Sequence, residues 1–287
     1  MSRDPVFKNS PSAQAFNKSP FSTTKWSTYF PIYDQLFGPY RDQEITFVEV
    51  GVQSGGSLFM WREFFGPKAR IIGIDLNEQA LKFKEHGFEI YIGDQASPKF
   101  WQSTLKKIGP IDLLLDDGGH RFEQQIITTE MVLPSIKDGG LIAIEDTHSS
   151  YMSEFGGPTA TSFIAYAKSI IDALHQRNAI TDTTHKSEPR IHSIQFFDSL
   201  VALEINSPLC ARPSRTVKND GTDLHHGDHR YKGAFLEQLD KQSRRLNSIE
   251  NPDLRTRLAR WVVHCLFRRE IRRDVKRQAK NTKFYFR

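Results

Sequence analysis

Residues 45–66 read ITFVEVGVQSGGSLFMWREFFG, and the fold turns on this stretch. An apolar run ends at Glu49 and Val50, a turn rich in glycine follows, and from Ser57 the apolar residues recur at spacings of three and four. Near-continuous apolar character marks a strand buried between layers, and the change of period marks a strand–turn–helix passage. The same unit recurs downstream. ARIIGIDL leads into NEQALKFKEHG, FEIYIGD into PKFWQSTLKKIG, IDLLLDDGG into FEQQIITTEMVLPSIKDGG, and LIAIEDTH toward TSFIAYAKSIIDALHQR. Five βα units predict a doubly wound α/β sheet. IHSIQFFDSLVALEI adds two strand-like runs joined near Asp198 and Ser199, an antiparallel hairpin at one edge.

Around this domain, expected over 25–205, lie three segments of other character. Residues 1–24 are rich in Ser, Pro, Asn and Lys without a period and predict a flexible arm. Trp26, Tyr29, Phe30, Tyr33, Leu36 and Phe37 then follow helical spacing, a face for packing on the main domain or for its pocket. Residues 206–233 are polar and read as a loop resembling a lid, and 234–287 as a basic helical extension. His225, His226 and His229 in that loop invite a metal, but no other soft ligand accompanies them, which favours solvated histidines.

With 38% hydrophobic and 25% charged residues the chain has the make-up of a soluble globular protein. No window nears the roughly 18 apolar residues of a membrane span, and the N-terminus lacks an apolar signal core, so cytoplasmic residence is expected. Cys210 and Cys265 stand far apart without a ligand motif, which argues against a disulfide framework or a structural zinc. The net charge of +5 is unevenly placed: 16 Lys and Arg against 6 Asp and Glu fall in residues 231–287, and 23 against 28 before them. In LARWVVHCLFRREIRRDVKRQAK an apolar stripe (Leu258, Trp261, Val262, Cys265, Leu266, Ile271) meets a basic run. Such a helix suits an anionic membrane surface, an anionic glycan or a partner. No recognised motif supports nucleic acid.

In a doubly wound sheet, ligands gather at the carboxyl ends of the strands. The first loop offers Gly51, Ser54 and Gly55 as cofactor contacts, since glycines let backbone approach a ligand closely. It is not a dinucleotide fingerprint: Glu49 stands where the first glycine would be and would repel a pyrophosphate, yet suits an ammonium group. Asp75 ends the second strand, where an acid meets ribose hydroxyls, and Asp94 and Gln95 end the third, within reach of a base. Asp116 and Asp117 end the fourth strand, and Glu145 and Asp146 the fifth. Four carboxylates at neighbouring strand ends repel one another unless a cation or proton intervenes. Oxygen ligands favour Mg2+, with Mn2+ or Ca2+ as substitutes. Helix capping or pairing with arginine is the structural alternative.

EVGVQSGGSLFMWREFFG, IIGIDL, GDQ, DDGGH and IED, in this order, resemble the metal-dependent sugar O-methyltransferases that modify macrolide antibiotics, the mycinamicin and macrocin type, over roughly residues 25–205. Gly119 departs from the serine expected there. The resemblance implies a Rossmann-like class I methyltransferase fold, S-adenosylmethionine held around Glu49, Gly51, Asp75 and Gln95 with Asp116 toward its methionyl side, and Mg2+ on Asp117, Glu145 and Asp146. It implies His120 as general base; His148, beyond the metal pair in sequence, is a rival that the resemblance does not supply. The acceptor would be a sugar hydroxyl of a glycoside, polysaccharide or glycolipid. Two other readings stand beside it: O-methylation of a non-sugar small molecule, and a noncatalytic scaffold that binds the cofactor. A homo-oligomer and contact with the inner membrane surface are both compatible with the sequence.

Overall fold

In the computed structural model the helices α1 (Pro11–Lys18) and α2 (Tyr29–Phe37) precede strand β1 (Thr46–Val50) and helix α3 (Gly56–Phe65). The alternation continues through β2 (Arg70–Asp75), 3-10 turns over Glu78–His86, β3 (Glu89–Ile92), α4 (Pro98–Ile108), β4 (Ile111–Asp116), α5 (Phe122–Val132), β5 (Ile136–Ile144) and α6 (Phe163–His175). The hairpin β6 (Ile191–Phe197) and β7 (Leu200–Ile205) follows, then the short α7 (Ser207–Ala211). Residues 9–177, 190–212, 214–222, 231 and 233–285 are described; His225, His226 and His229 lie outside them.

The seven strands form one sheet in the order β3-β2-β1-β4-β5-β7-β6. The first five run parallel, and β7 pairs antiparallel with both β5 and β6, which is the hairpin read from the sequence. Successive side chains point to opposite faces, so each strand feeds two cores. Phe47, Leu113, Leu115, Leu141 and Ala143 pack with the aromatic residues of α2 and α3 on one face. Val48, Val50, Leu114, Ile142 and Ile144 pack with Trp101, Val132 and Phe163 on the other. On the first face Trp61 sits with its ring 5.1 Å from Phe47, 5.6 Å from Phe37 and 5.0 Å from Tyr33, which docks α2 onto the strand ends.

Two elements differ from the sequence reading. The expected flexible arm contains α1, N-capped by Ser10 with Pro11 opening the helix. Ser10 and the Ser12 backbone N–H both donate to the Asp34 carboxylate, and Ala13 and Ala15 are buried, so tertiary bonds give order to a stretch of weak local pattern. The segment NEQALKFKEHG forms 3-10 turns rather than an α-helix; its buried residues, Ala80 and Phe83, stand three apart, the spacing that stacks side chains in a 3-10 helix.

The chain divides into two compact units, Met1–Thr216 and Val217–Arg287. In the second, α8 (Phe235–Asn247) and α9 (Leu254–Thr282) form a helical pair. Asp253 caps α9, accepting from the Thr256 N–H at 2.8 Å, and Arg260 donates to the carbonyls of Leu246 and Ile249 at the end of α8. Among the described residues no helix is long and apolar enough to cross a membrane.

Candidate active site

Strand register brings the predicted residues together. Val50 pairs with Ile74 on one side and Asp116 on the other, and Asp116 pairs with Ile144. Backbone bonds carry the alignment one residue further: Gly51 N–H to Ile74 C=O at 2.8 Å, Asp117 N–H to Val50 C=O at 2.9 Å and Glu145 N–H to Asp116 C=O at 2.9 Å. The residues after β1, β2, β4 and β5 therefore share one rim, and a cavity of about 820 Å³ opens along it. Gly51 has φ +95, and a Cβ there would overlap the Asp117 carbonyl, so the close approach of the two loops requires glycine.

Gly51, Ser54, Asp75, Asp94 and Gln95 line the cavity on the side of β1, β2 and β3. Asp75 shapes its own surroundings: Oδ2 accepts from the Val52 and Gln53 N–H groups at 2.8 and 2.9 Å, and Oδ1 from the Asn77 N–H at 2.8 Å. Asp94 accepts from the Ala96 N–H at 2.8 Å. Gln95, nearly buried, donates to both Asp116 oxygens at 3.0 Å and accepts from the Gly119 N–H at 3.0 Å, tying the β3 loop to the β4 loop.

Three of the candidates for the cofactor side do not line the cavity. Glu49, read as the acceptor for an ammonium group, is fully buried and accepts from Ser57 Oγ at 2.7 Å and Trp61 Nε1 at 2.9 Å. Burial pushes its carboxyl up to about 7. Gly55 takes a left-handed conformation with the Phe83 ring where a side chain would stand. Asp116 lies beneath Gln95, and burial pushes its carboxyl up to about 6 against the bonds from Gln95 and the Gly118 N–H. These residues shape the loops from behind.

At the other end of the cavity Asp117, His120 and Asp146 each present a ligand atom, all within 4.8 Å of one another. His120 Nε2 lies 3.4 Å from Asp146 Oδ2. His120 and Asp146 both hold left-handed backbone, φ +55 and +53, uncommon in residues with a Cβ. His148 stands on the far side of Asp146, its Nδ1 3.9 Å from Asp146 Oδ1 and bonded to Ser199 Oγ, and it does not line the cavity.

Residues from the N-terminal side meet these acids; the sequence reading missed Lys25 among them, while Trp26, Tyr29 and Tyr33 belong to the aromatic face it assigned to packing or to the pocket. The Lys25 ammonium lies 2.6 Å from Asp117 Oδ2 and 3.0 and 3.2 Å from the two Glu145 oxygens, with its side chain only 1% exposed. Burial would discharge it, but Asp117 and Glu145 outweigh that effect and hold it charged, well above the usual lysine range. Tyr33 donates to Glu145, while Tyr29 and Trp26 donate to Asp146 Oδ1 at 2.7 and 3.0 Å. A lone lysine in the segment SPFSTTKWSTYFPIY, which contains no acid, was the available signal. The carboxylates of Asp117, Glu145 and Asp146 are the oxygen donors that a hard divalent cation takes, and the buried ammonium sets a positive charge beside two of them.

The sheet has the Rossmann-like class I methyltransferase fold, and residues 48–147 match the family model described as a methyltransferase domain. Among particular proteins, the chain is similar to 8-demethyl-8-alpha-L-rhamnosyl tetracenomycin-C 2'-O-methyltransferase of Streptomyces olivaceus, 30% identical over 196 residues, 63% of this chain and 51% of the relative. It is 32% identical over 178 residues to mycinamicin VI 2''-O-methyltransferase of Micromonospora griseorubida, covering 56% of this chain and 43% of that one. A solved methyltransferase from the mycinamycin biosynthetic pathway, in complex with Mg, SAH and mycinamycin VI, aligns with TM-score 0.60 at 27% identity, over 71% of this chain and 54% of the other. The chain spans about half the length of the curated relatives it matches.

Proposed function

We propose that this protein is an O-methyltransferase that uses S-adenosylmethionine and a divalent cation to methylate a sugar hydroxyl of a glycoside, the acceptor class named for its relatives. The observation that carries the reading is the meeting of Asp117, His120 and Asp146 beside Glu145 at one end of a cavity whose other end holds Asp75, Asp94 and Gln95. S-adenosylmethionine supplies a methyl group on a sulfonium centre. A cation of the Mg2+ class, held by Asp117, Glu145 and Asp146, would chelate adjacent hydroxyls and lower their pKa.

The remaining work falls to the chain. Asp75 and Asp94 receive ribose and base, and Gly51 admits the cofactor close to the backbone. His120, whose Nε2 lies 3.4 Å from Asp146 Oδ2 at the cavity wall, is the group that takes the acceptor proton. Transfer then joins a negative oxygen to a positive sulfonium, and the chain's main contribution is alignment and exclusion of water. Calorimetric titration tests the cofactor half: one S-adenosylmethionine per chain is expected, weakened at least tenfold by Asp75→Ala. Absence of binding to the wild type would defeat the reading.

A second role rests on α9. Leu254, Leu258, Trp261 and Val262 are exposed on one face, and Arg268, Arg269, Arg272, Arg273 and Lys276 line a groove farther along. Apolar residues followed by clustered cations suit peripheral contact with an anionic membrane. Cosedimentation with phosphatidylserine vesicles, lost in Trp261→Glu, tests it; equal recovery with neutral vesicles would count against it.

A further inference from the structure

Lys25 sits on a short strap between two anchors. Upstream, Ser19 Oγ donates to the Gly56 carbonyl at 2.7 Å, and the Phe21 ring packs 5.1 Å from Phe59 and 5.7 Å from Phe83. The carbonyls of Phe21 and Ser22 press on Gly56 so closely that no side chain fits there. Downstream, Trp26 and Tyr29 are bonded to Asp146. The backbone between the anchors crosses the cavity wall, and from it the lysine reaches Asp117 and Glu145.

A buried ammonium within 2.6–3.2 Å of two carboxylates meets the charge requirement of that pair. It also uses the oxygens a divalent ion would need. Two cations cannot share those lone pairs at such distances without strong repulsion. Lysine is suited to yielding, because its charge is carried on a flexible four-carbon stem and the adjoining cavity has room for it. Tyr33 also holds Glu145, so that carboxylate keeps a partner when the ammonium leaves.

We propose that Lys25 is a tethered cation that neutralises the Asp117–Glu145 pair in the metal-free protein and is displaced when a divalent cation binds, so that the two occupancies exclude each other. This rests on the metal-dependent reading above. It makes metal affinity a difference between two cations competing for one pair of acids, set by a residue outside the ligand set. It also prevents the acids from repelling one another before the metal arrives, at the cost of weaker metal binding.

The test titrates Mn2+ into the full chain by calorimetry, wild type against Lys25→Met, with Lys25→Gln as a second variant if the first fails to fold by circular dichroism. In parallel, wild-type Lys25 is acylated with and without saturating Mn2+, and the modified peptide is quantified by mass spectrometry. Removal of the competitor should tighten Mn2+ binding about tenfold or more, and Mn2+ should raise acylation of Lys25 severalfold. Equal or weaker affinity in the variants, with acylation of Lys25 unchanged, would overturn the competition while leaving the metal reading standing. No Mn2+ binding to any of the chains would overturn both.

Discussion

Replacing Gly51 by alanine probes the point where the β1 loop meets the β4 loop. The residue has φ +95, and a Cβ there would lie 2.7 Å from the carbonyl carbon of Asp117 and 3.1 Å from Gly118 Cα, besides overlapping the Asp117 oxygen. Left-handed backbone costs an alanine about 1–2 kcal/mol, and forcing a methyl into packed backbone costs about 1–3 kcal/mol more. Gly139 separates the two effects: it has φ +85 but open space where its Cβ would stand. The entropy that alanine removes from the unfolded chain is common to both variants and cancels in the comparison. Urea denaturation with an unchanged m-value should therefore place Gly51→Ala about 1–3 kcal/mol below Gly139→Ala. Because the displaced atoms are those of Asp117, Gly51→Ala should also weaken Mn2+ binding, which Gly139→Ala should not. Equal destabilisation of the two variants would refute the argument that loop contact at Gly51 holds the rim together.

Other outcomes follow from the buried acids and the base. Burial raises the folded-state pKa of Glu49 from 4.5 to about 7, so the native state favours the protonated acid. That contribution is fully present below about 4.5 and is lost as pH rises through 7, a change of about 3 kcal/mol. Glu49→Gln, which keeps partners for Ser57 and Trp61, should gain on the wild type across that window in pH-dependent denaturation; a constant difference would show that Glu49 does not titrate there. His120→Ala should bind S-adenosylmethionine as the wild type does while transfer slows about 10²–10⁴-fold, and an unchanged rate would remove it as the base. Tyr33→Phe takes a donor from a buried carboxylate and should cost about 1.5–3 kcal/mol by calorimetry, whereas a neutral effect would mean that Lys25 alone satisfies Glu145.

The strands were legible because burial on both faces writes itself as unbroken apolar runs, and the hairpin because its two runs meet at Ser199, which takes the left-handed turn at φ +62. That Asp117, His120, Glu145 and Asp146 meet at one cavity was legible because a doubly wound sheet sends the residues after its strands to one rim. What could not be read were partners supplied across the chain. Lys25 reaches Asp117 over 92 positions and Glu145 over 120, and no local periodicity records such a contact. Glu49 was placed at the cofactor because its strand-end position was visible, whereas the donors that hold it inside, Ser57 and Trp61, lie on the next helix and read as ordinary core. Helix α1 carried its signal in Ser10 and Pro11, but its order depends on Asp34 in α2.

The central claim is most directly tested by methyl transfer from labelled S-adenosylmethionine to a panel of glycosides, run with Mg2+, with a chelator, and with Asp117→Ala. The account predicts label on a sugar hydroxyl with Mg2+, lost to the chelator and in the variant; transfer undiminished by both would contradict it.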